Sequence, residues 1–151
     1  MKAICVEDEI LILNLTVSLC RDLPALDEVE GFSGASDALD WVREHPVDVA
    51  LLDIDMPEMN GMELARKIRD ISPETAVIFL TGYEQFALEA FELHASGYLL
   101  KPISREKLAR EVDYALSRKK EFHPPRIRAT TFGNFALSVD GKMVGFGRSK
   151  A

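Results

Sequence analysis

Val49-Ala50-Leu51-Leu52-Asp53 places four consecutive apolar residues directly before a carboxylate. A run that is apolar on both faces is typical of a central strand in a parallel sheet, which helices cover from both sides. Asp53 then stands at the carboxyl end of this strand, where open α/β sheets carry their ligand sites. The segment therefore predicts both a fold class and the position of a functional site.

Strand-like and helix-like segments alternate along most of the chain. The predicted strands are residues 2–6, 29–32, 49–52, 76–80 and 97–100, and the predicted helices are residues 9–21, 37–44, 62–70, 85–93 and 105–118. Strict alternation of this kind predicts βαβ units around a doubly wound parallel sheet. We therefore expect an α/β fold of the (βα)5 type.

Composition and charge narrow the class of protein. The chain has 151 residues and is 47% hydrophobic, enough for one cored domain of about 100 to 150 residues. Residues 1–120 carry a net charge of −10 and residues 121–151 one of +3, so the larger part repels nucleic acid.

Cys5 and Cys20 lie in apolar runs without metal-ligand spacing, which predicts buried, reduced thiols. No apolar run reaches the roughly 20 residues of a membrane span, and we expect a cytoplasmic protein.

Polar groups of different chemistry follow four of the predicted strands. Glu7 and Asp8 follow the first strand, Asp53 the third, Thr81 the fourth and Lys101 the fifth. Taken singly, each is as easily a helix cap, a turn residue or a solvated surface group. Because the carboxyl ends of parallel strands share one edge of the sheet, their coincidence predicts a single site.

This set of side chains suits transfer of a phosphoryl group to a carboxylate. Crowded carboxylates repel one another unless they share a cation, and oxygen ligands favour a hard divalent ion, here Mg²⁺. Asp53 is predicted to be the nucleophile and phospho-acceptor. Lys101 is expected to bring a positive charge close to the phosphoryl oxygens. The Thr81 hydroxyl is expected to donate a hydrogen bond to one of these oxygens.

The segments around these residues resemble the successive motifs of response-regulator receiver domains. They are Ile4-Cys5-Val6-Glu7-Asp8-Glu9, Leu51-Leu52-Asp53-Ile54-Asp55-Met56-Pro57 with Asn60-Gly61, Phe79-Leu80-Thr81-Gly82, and Gly97-Tyr98-Leu99-Leu100-Lys101-Pro102. The resemblance covers residues 1–120 and implies a flavodoxin-like fold with the strand order 2-1-3-4-5. It also implies a metal site in which Asp8 and Asp53 hold Mg²⁺ directly, Glu7 through water and Asp55 through its backbone carbonyl. A cis peptide bond before Pro102 is a further implication.

The same resemblance implies how phosphorylation becomes a signal. Thr81 would move toward the phosphoryl group and Tyr98 would turn inward, which changes the surface of the fourth helix, fifth strand and fifth helix. Apolar residues there, including Phe86, Leu88 and Phe91, predict a homodimer on phosphorylation. A sensor histidine kinase or a phosphotransfer protein would supply the phosphoryl group. The domain would accept and lose phosphate itself and would not be a turnover enzyme.

The first predicted helix has more apolar positions than one buried face requires. Its two apolar stripes are Ile12, Leu15 and Leu19, and Ile10, Leu13 and Val17. Deep burial of the helix is the plain interpretation. A docking face for a kinase or a phosphotransfer protein is the alternative.

The chain changes character after the fifth helix. Residues 121–125 end in two prolines and are interpreted as a linker. Residues 126–151 contain short strand-like pieces and an Asp140-Gly141 turn, which predicts a small antiparallel sheet. They resemble the start of a winged-helix DNA-binding domain of bacterial transcriptional activators of the antibiotic-regulatory type. Because no recognition helix follows, the sequence is interpreted as a truncated regulator that would contact DNA only through the missing remainder.

Two other functions stay open at this point. Asp53-Ile54-Asp55 resembles the nucleophile and acid pair of haloacid-dehalogenase-type phosphatases, although that pair usually follows the first strand and here follows the third. The second alternative is an interaction module that no longer accepts phosphate. The complete set of pocket residues argues against this module.

Overall fold

The computed structural model describes residues 1–121, and the side chains of residues 1–118. Its strands are β1 (Lys2–Val6), β2 (Glu28–Phe32), β3 (Val49–Leu52), β4 (Ala76–Thr81) and β5 (Gly97–Leu100). Its helices are α1 (Ile10–Arg21), α2 (Ala35–Glu44), α3 (Gly61–Ile71), α4 (Ala87–Glu92) and α5 (Arg105–Glu121), and a 3₁₀ turn at Glu84–Phe86 precedes α4. The predicted alternation of strand and helix is confirmed for this part of the chain.

The described strands form one parallel sheet in the order β2-β1-β3-β4-β5. This confirms the predicted flavodoxin-like order. Every residue of β3 is fully buried, so both faces of this strand are covered. The peptide bond between Lys101 and Pro102 is cis, as the resemblance implied.

The core is built from aliphatic and aromatic side chains of the central strands and the helices beside them. Among the largest fully buried side chains are Ile4, Leu52, Ile68, Ile78 and Phe79. Burial of each such side chain stabilises the fold by about 1.5–3 kcal/mol. The core therefore holds the strand ends, and the polar residues that follow them, in fixed positions.

The two cysteines belong to this core. Cys5 of β1 and Cys20 of α1 are buried free thiols whose sulfur atoms are 3.9 Å apart. The hydrogen bond to Cys20, together with burial, raises the pKa of the Cys5 thiol well above its ordinary value. A thiol that stays protonated is a poor nucleophile. The prediction that both cysteines are buried, with no disulfide between them, is confirmed.

Local interactions set where several helices begin and end. The Asn60 side chain accepts a hydrogen bond from the Glu63 N–H at 2.9 Å before α3, and Ser104 Oγ accepts one from the Lys107 N–H at 3.2 Å before α5. His94, just after α4, has a φ of 60°. The segment predicted as the fourth helix consists of the 3₁₀ turn followed by α4. The sequence did not predict this division, because the spacing of apolar residues does not distinguish 3₁₀ from α-helical hydrogen bonding.

Helix α1 buries only one side. Leu13 and Val17 are in the core, but Ile10, Leu11 and Leu15 are 54%, 85% and 52% exposed. The expectation of deep burial was wrong for Ile10 and Leu15, because covering one face of the sheet needs only one stripe of a helix. Helix α1 therefore presents an apolar surface to solvent.

Residues 1–113 form one compact unit, and a second unit begins at Tyr114 within α5. In the described part of the second unit, the Arg118 guanidinium carbon lies 5.7 Å from the centre of the Tyr114 ring.

Residues 122–151, which include most of the predicted linker and all of the predicted winged-helix segment, lie outside the described residues. Within residues 1–121, no helix is both long enough and apolar enough to cross a bilayer.

Gly61 supports a stability prediction, because the first turn of α3 passes close to the backbone of Asp53. A Cβ atom on Gly61 would lie 2.1 Å from the Asp53 carbonyl oxygen. Gly61→Ala must push these two backbones apart, and we expect it to lower the free energy of unfolding by about 1–3 kcal/mol in chemical denaturation.

Gly82→Ala is the matched control for this substitution. A Cβ atom on Gly82 would meet no atom within 4 Å, so its free energy of unfolding should change by less than about 0.5 kcal/mol. Equal denaturation midpoints for the two variants would contradict the role given to Gly61.

Candidate functional site

The strand register brings the predicted site residues to one edge of the sheet. The Asp53 N–H donates to the Val6 carbonyl at 2.9 Å, which places Asp53 beside the residues that follow β1. The Lys101 N–H donates to the Thr81 carbonyl at 2.8 Å, which joins the ends of β4 and β5 in the same way. Backbone hydrogen bonds thus place the side chains of these residues at the same edge of the sheet.

Three carboxylates meet at this edge. Glu7, Asp8 and Asp53 each offer an oxygen atom, and these oxygens all lie within 4.8 Å of one another. The second oxygen of Glu7, Oε2, accepts a hydrogen bond from the Glu9 N–H at 3.2 Å. Like charges at this spacing repel one another strongly unless a cation is close.

Lys101 provides a positive charge within this cluster. Its Nζ donates to Glu7 Oε1 at 2.6 Å and lies 3.5 Å from Asp53 Oδ1. Burial disfavours the ammonium form, but the hydrogen bond to Glu7 and the charges of both carboxylates outweigh it, so the pKa of Lys101 lies above its ordinary value. Lys101 therefore stays charged and holds Glu7 and Asp53 on one side of the pocket.

Three of the predicted site residues, Glu7, Asp53 and Thr81, are buried, unlike ordinary polar groups at a protein surface. The buried polar side chains of the described residues are Glu7, Thr16, Asp53, Thr75 and Thr81. The Thr16 and Thr75 hydroxyls donate to the backbone carbonyls of Ile12 and Val47. The remaining three belong to the predicted site, and concentration of buried polar groups in one place is typical of a functional site.

Asp53 has a strongly perturbed acidity. Burial, followed by the neighbouring charge of Glu7, raises the pKa of Asp53 to about 7, although Lys101 acts in the opposite direction. The pocket without a cation therefore disfavours a full negative charge on Asp53 near neutral pH. A divalent cation would remove this penalty.

The donor set fits Mg²⁺. All three side chains at the cluster offer carboxylate oxygens, the ligand type that hard divalent cations prefer. The Asp55 side chain is outside this cluster, and its Oδ2 accepts a hydrogen bond from the Tyr83 hydroxyl at 3.4 Å. The resemblance assigned a metal role to the Asp55 backbone carbonyl and not to this side chain.

The two predicted switch residues lie on neighbouring strands. Thr81 is fully buried at the end of β4, and its Oγ1 accepts a hydrogen bond from the Tyr83 N–H at 3.2 Å. Tyr98 of β5 packs edge-on against Phe79, with ring centroids 6.5 Å apart, and its hydroxyl donates to the Tyr83 carbonyl. Sequence reasoning did not find the link through Tyr83, because it depends on the path of the loop after β4.

Comparison with known proteins identifies the family. The family model of the response regulator receiver domain matches residues 3–113. An uncharacterized response regulatory protein of Vibrio cholerae is 40% identical over 108 residues, which are 71% of this chain and 41% of that protein. The transcriptional regulatory protein LytR of Staphylococcus aureus is 30% identical over 119 residues, which are 79% of this chain and 48% of LytR. The matched segments span less than half the length of these two relatives.

A solved structure has the same architecture. The response regulator TrrA of Thermotoga maritima, in complex with Mg²⁺ and BeF, is 27% identical, with a TM-score of 0.68. The match covers 76% of this chain and 99% of the TrrA chain. Together with the strand order and the matched residues 3–113, these similarities show that this chain belongs to the response regulator receiver domain family.

Proposed function

We propose that this receiver domain accepts a phosphoryl group on Asp53 with the help of Mg²⁺ and passes the signal to a transcriptional output region. The observation that carries this proposal is the contact of Lys101 with both Glu7 and Asp53 inside a cluster of three carboxylates. A buried ion pair contributes little net stability by itself. The cluster is better explained as a site for an anionic group and a cation.

Asp53 is the proposed nucleophile. One of its carboxylate oxygens forms a bond to phosphorus while the bond between phosphorus and the donor atom breaks and the donor leaves. Lys101, 3.5 Å from Asp53 Oδ1, would neutralise charge on the phosphoryl oxygens. The buried Thr81 hydroxyl would donate a hydrogen bond to one of those oxygens. When water later attacks phosphorus, the bond to Asp53 breaks and the free carboxylate and inorganic phosphate are released.

The proposed metal ligands are the carboxylates of Asp8 and Asp53, Glu7 through water, and the Asp55 backbone carbonyl. Bound Mg²⁺ supplies positive charge that offsets the negative charges of the phosphoryl group and its acceptor. The carboxylate cluster and the raised pKa of Asp53 support this assignment. The Mg²⁺ complex of the relative TrrA also supports it.

Receiver domains interact with histidine kinases or phosphotransfer proteins, and we propose such a protein as the phosphodonor in the cell. The exposed side chains of Ile10, Leu11 and Leu15 support a contact on α1. This helix begins two residues after the proposed metal ligand Asp8, so a partner bound at its start would be close to Asp53.

We further propose that Thr81 and Tyr98 couple phosphorylation to the surface of α4, β5 and α5. Exposed apolar side chains on that surface include Leu88, Phe91 and Leu100. The relative LytR is a transcriptional regulatory protein, which supports transcription as the output. The domain division into residues 1–120, 121–125 and 126–151, and the winged-helix type of the last segment, stay predictions from the sequence.

Phosphorylation of Asp53 can be tested with acetyl phosphate and Mg²⁺. Intact-mass and peptide mass spectrometry should find one added phosphoryl group, located on Asp53, in the parent protein and in the control Asp70→Asn, which neutralises an exposed carboxylate of α3. Asp53→Asn should gain none, because the amide is not a nucleophile. Continuous turnover of simple phosphate esters would favour the phosphatase alternative, and an unmodified parent would favour the interaction module.

The metal-free pocket predicts an unusual dependence of stability on pH. The pKa of Asp53 rises from an ordinary 3.8 to about 7 on folding, so the folded state binds the proton more tightly than the unfolded state. The free energy of unfolding should therefore decrease as pH rises from about 4 to about 7 and then level off.

Thermal unfolding in the presence of a chelator tests this dependence. At pH 8, Asp53→Asn should exceed the parent in free energy of unfolding by at least about 1 kcal/mol, and the gain should shrink toward pH 4. At pH 8, Mg²⁺ should reduce the difference in free energy of unfolding between Asp53→Asn and the parent, because it stabilises the parent. An equal gain for Asp70→Asn would show that the effect is general charge relief and not a property of the pocket.

Dimerisation through the α4-β5-α5 surface can be tested by sedimentation. With Mg²⁺ and beryllofluoride as a phosphoryl mimic, the parent should sediment as a dimer. Leu88→Glu places a charge on an exposed residue of α4 (69% exposed) and should keep the protein monomeric. Leu11→Glu, at an 85% exposed position of α1, should still dimerise. A parent that sediments identically with and without the mimic would exclude this dimer.

A further inference from the structure

The two cysteines of the chain meet inside the core, on the face of the sheet that α1 covers. Cys5 lies on β1 and Cys20 lies in the last turn of α1, and the sequence contains no other cysteine. Their exposed fractions are 1% and 0%. The Cys5 thiol donates a hydrogen bond to Cys20 Sγ, with the two sulfur atoms 3.9 Å apart. Two thiols in contact can form a bond to each other, which a single buried thiol cannot.

A glycine on the neighbouring strand lets α1 pack closely at the level of Cys5. Gly31 of β2 is the register partner of Cys5, and side chains of such partners lie on the same face of the sheet. A Cβ atom on Gly31 would lie only 2.9 Å from Val17 Cγ2 of α1. Cys20 follows Val17 by three residues and is buried on the same side of the helix. The close packing at Gly31 therefore brings Cys20 toward Cys5.

The sulfur atoms are within a short movement of bonding distance. A disulfide bond holds its two sulfurs about 2.05 Å apart, so those of Cys5 and Cys20 would have to approach by about 1.9 Å. Rotation of the two side chains about χ1, together with a small shift of α1, can supply this approach. Both thiols are free in this structure, so the pair is reduced and available for oxidation.

We propose that Cys5 and Cys20 are a site of reversible oxidation, at which a peroxide converts the two thiols into a disulfide bond that ties α1 to β1. This inference does not depend on the proposed phosphorylation of Asp53. The ring closed by the bond includes Glu7 and Asp8, which lie between β1 and α1. Oxidation would thus restrain the two elements that flank these carboxylates.

The reaction consumes one peroxide molecule for each disulfide. Cys20 Sγ, which accepts the hydrogen bond from Cys5, attacks one oxygen of hydrogen peroxide. A sulfur–oxygen bond forms, the oxygen–oxygen bond breaks, and the hydroxide that leaves takes the thiol proton to become water. Cys5 Sγ then attacks the Cys20 sulfur, the sulfur–oxygen bond breaks, and the second thiol proton leaves in another water molecule. The sulfurs lose two electrons, which reduce the peroxide, and the nearby second thiol competes with further oxidation of Cys20.

The oxidation product can be identified by counting thiols. The reduced full chain is treated with hydrogen peroxide in native buffer, then unfolded in urea and labelled with N-ethylmaleimide. The reduced protein should take two labels and the oxidised protein none, and dithiothreitol should restore both. Peptide mass spectrometry without reductant should find the peptide of Cys5 joined to that of Cys20, and a non-reducing gel should show a single-chain product.

Urea denaturation tests whether the native fold accommodates the bond. The oxidised parent should unfold at a higher urea concentration than the reduced parent, because a bond that fits the native geometry restricts mainly the unfolded chain. Peroxide treatment of Cys20→Ala should not raise its midpoint, which controls for oxidation of methionines. A lower midpoint for the oxidised parent would overturn the proposal, since the fold would then oppose the bond.

Two glycine variants provide a matched pair for the role of close packing. Gly31→Ala pushes α1 away from the sheet, whereas a Cβ atom on Gly34 would meet no atom within 4 Å. The increase in midpoint on oxidation should fall to less than about half in Gly31→Ala and stay at the parent value in Gly34→Ala. Circular dichroism establishes that each variant is folded, and equal increases in the two variants would contradict the packing argument.

Three other results would overturn the proposal itself. They are two reactive thiols remaining in the treated parent, disulfide bonds only between different chains, and sulfinic acid on either cysteine without a bond between them. The parent protein alone gives each of these results, so the inference can be tested even if Gly31→Ala does not fold. None of these outcomes bears on Asp53 as the phospho-acceptor.

Discussion

Mutual repulsion of carboxylates at one edge of the sheet is the constraint on which the site depends. The parallel pairing of β1 with β3 brings Glu7, Asp8 and Asp53 together, with carboxylate oxygens within 4.8 Å of one another. Lys101 offsets part of this repulsion, but the pKa of Asp53 still rises to about 7. The fold thus maintains an unfavourable charge arrangement, which the Mg²⁺ that we propose would relieve. Functional sites commonly carry such local instability.

The rest of the domain tolerates this arrangement because its core is apolar and well buried. Residues of β3 are fully covered, and Phe79 and Ile78 of β4 pack beside them. Gly61 lets α3 start against the Asp53 backbone, where any larger residue would collide. The backbone of the proposed acceptor Asp53 is thus held in a fixed position by apolar packing around it.

The parts of the domain that face partners and solvent are built differently from the core. Helix α1 exposes Leu11 and Leu15. Helix α4, which follows the loop that carries Tyr83, exposes Leu88 and Phe91. Tyr83 connects Thr81, Tyr98 and Asp55 through three hydrogen bonds. These bonds lie in the region that we propose to rearrange when Asp53 is phosphorylated.

The sequence by itself determined the strand and helix alternation, the strand order through family resemblance, and the group formed by Glu7, Asp8, Asp53, Thr81 and Lys101. The periodicity of apolar residues and the position of a residue after a strand are local properties of the sequence. In a parallel sheet, residues that follow different strands lie at the same edge, so the local pattern was enough to group them. Only the tertiary structure decided which side of α1 is exposed, how Tyr83 reaches Asp55, and how strongly Asp53 resists ionisation. Each of these depends on distances and burial among residues far apart in the chain, which no local pattern encodes.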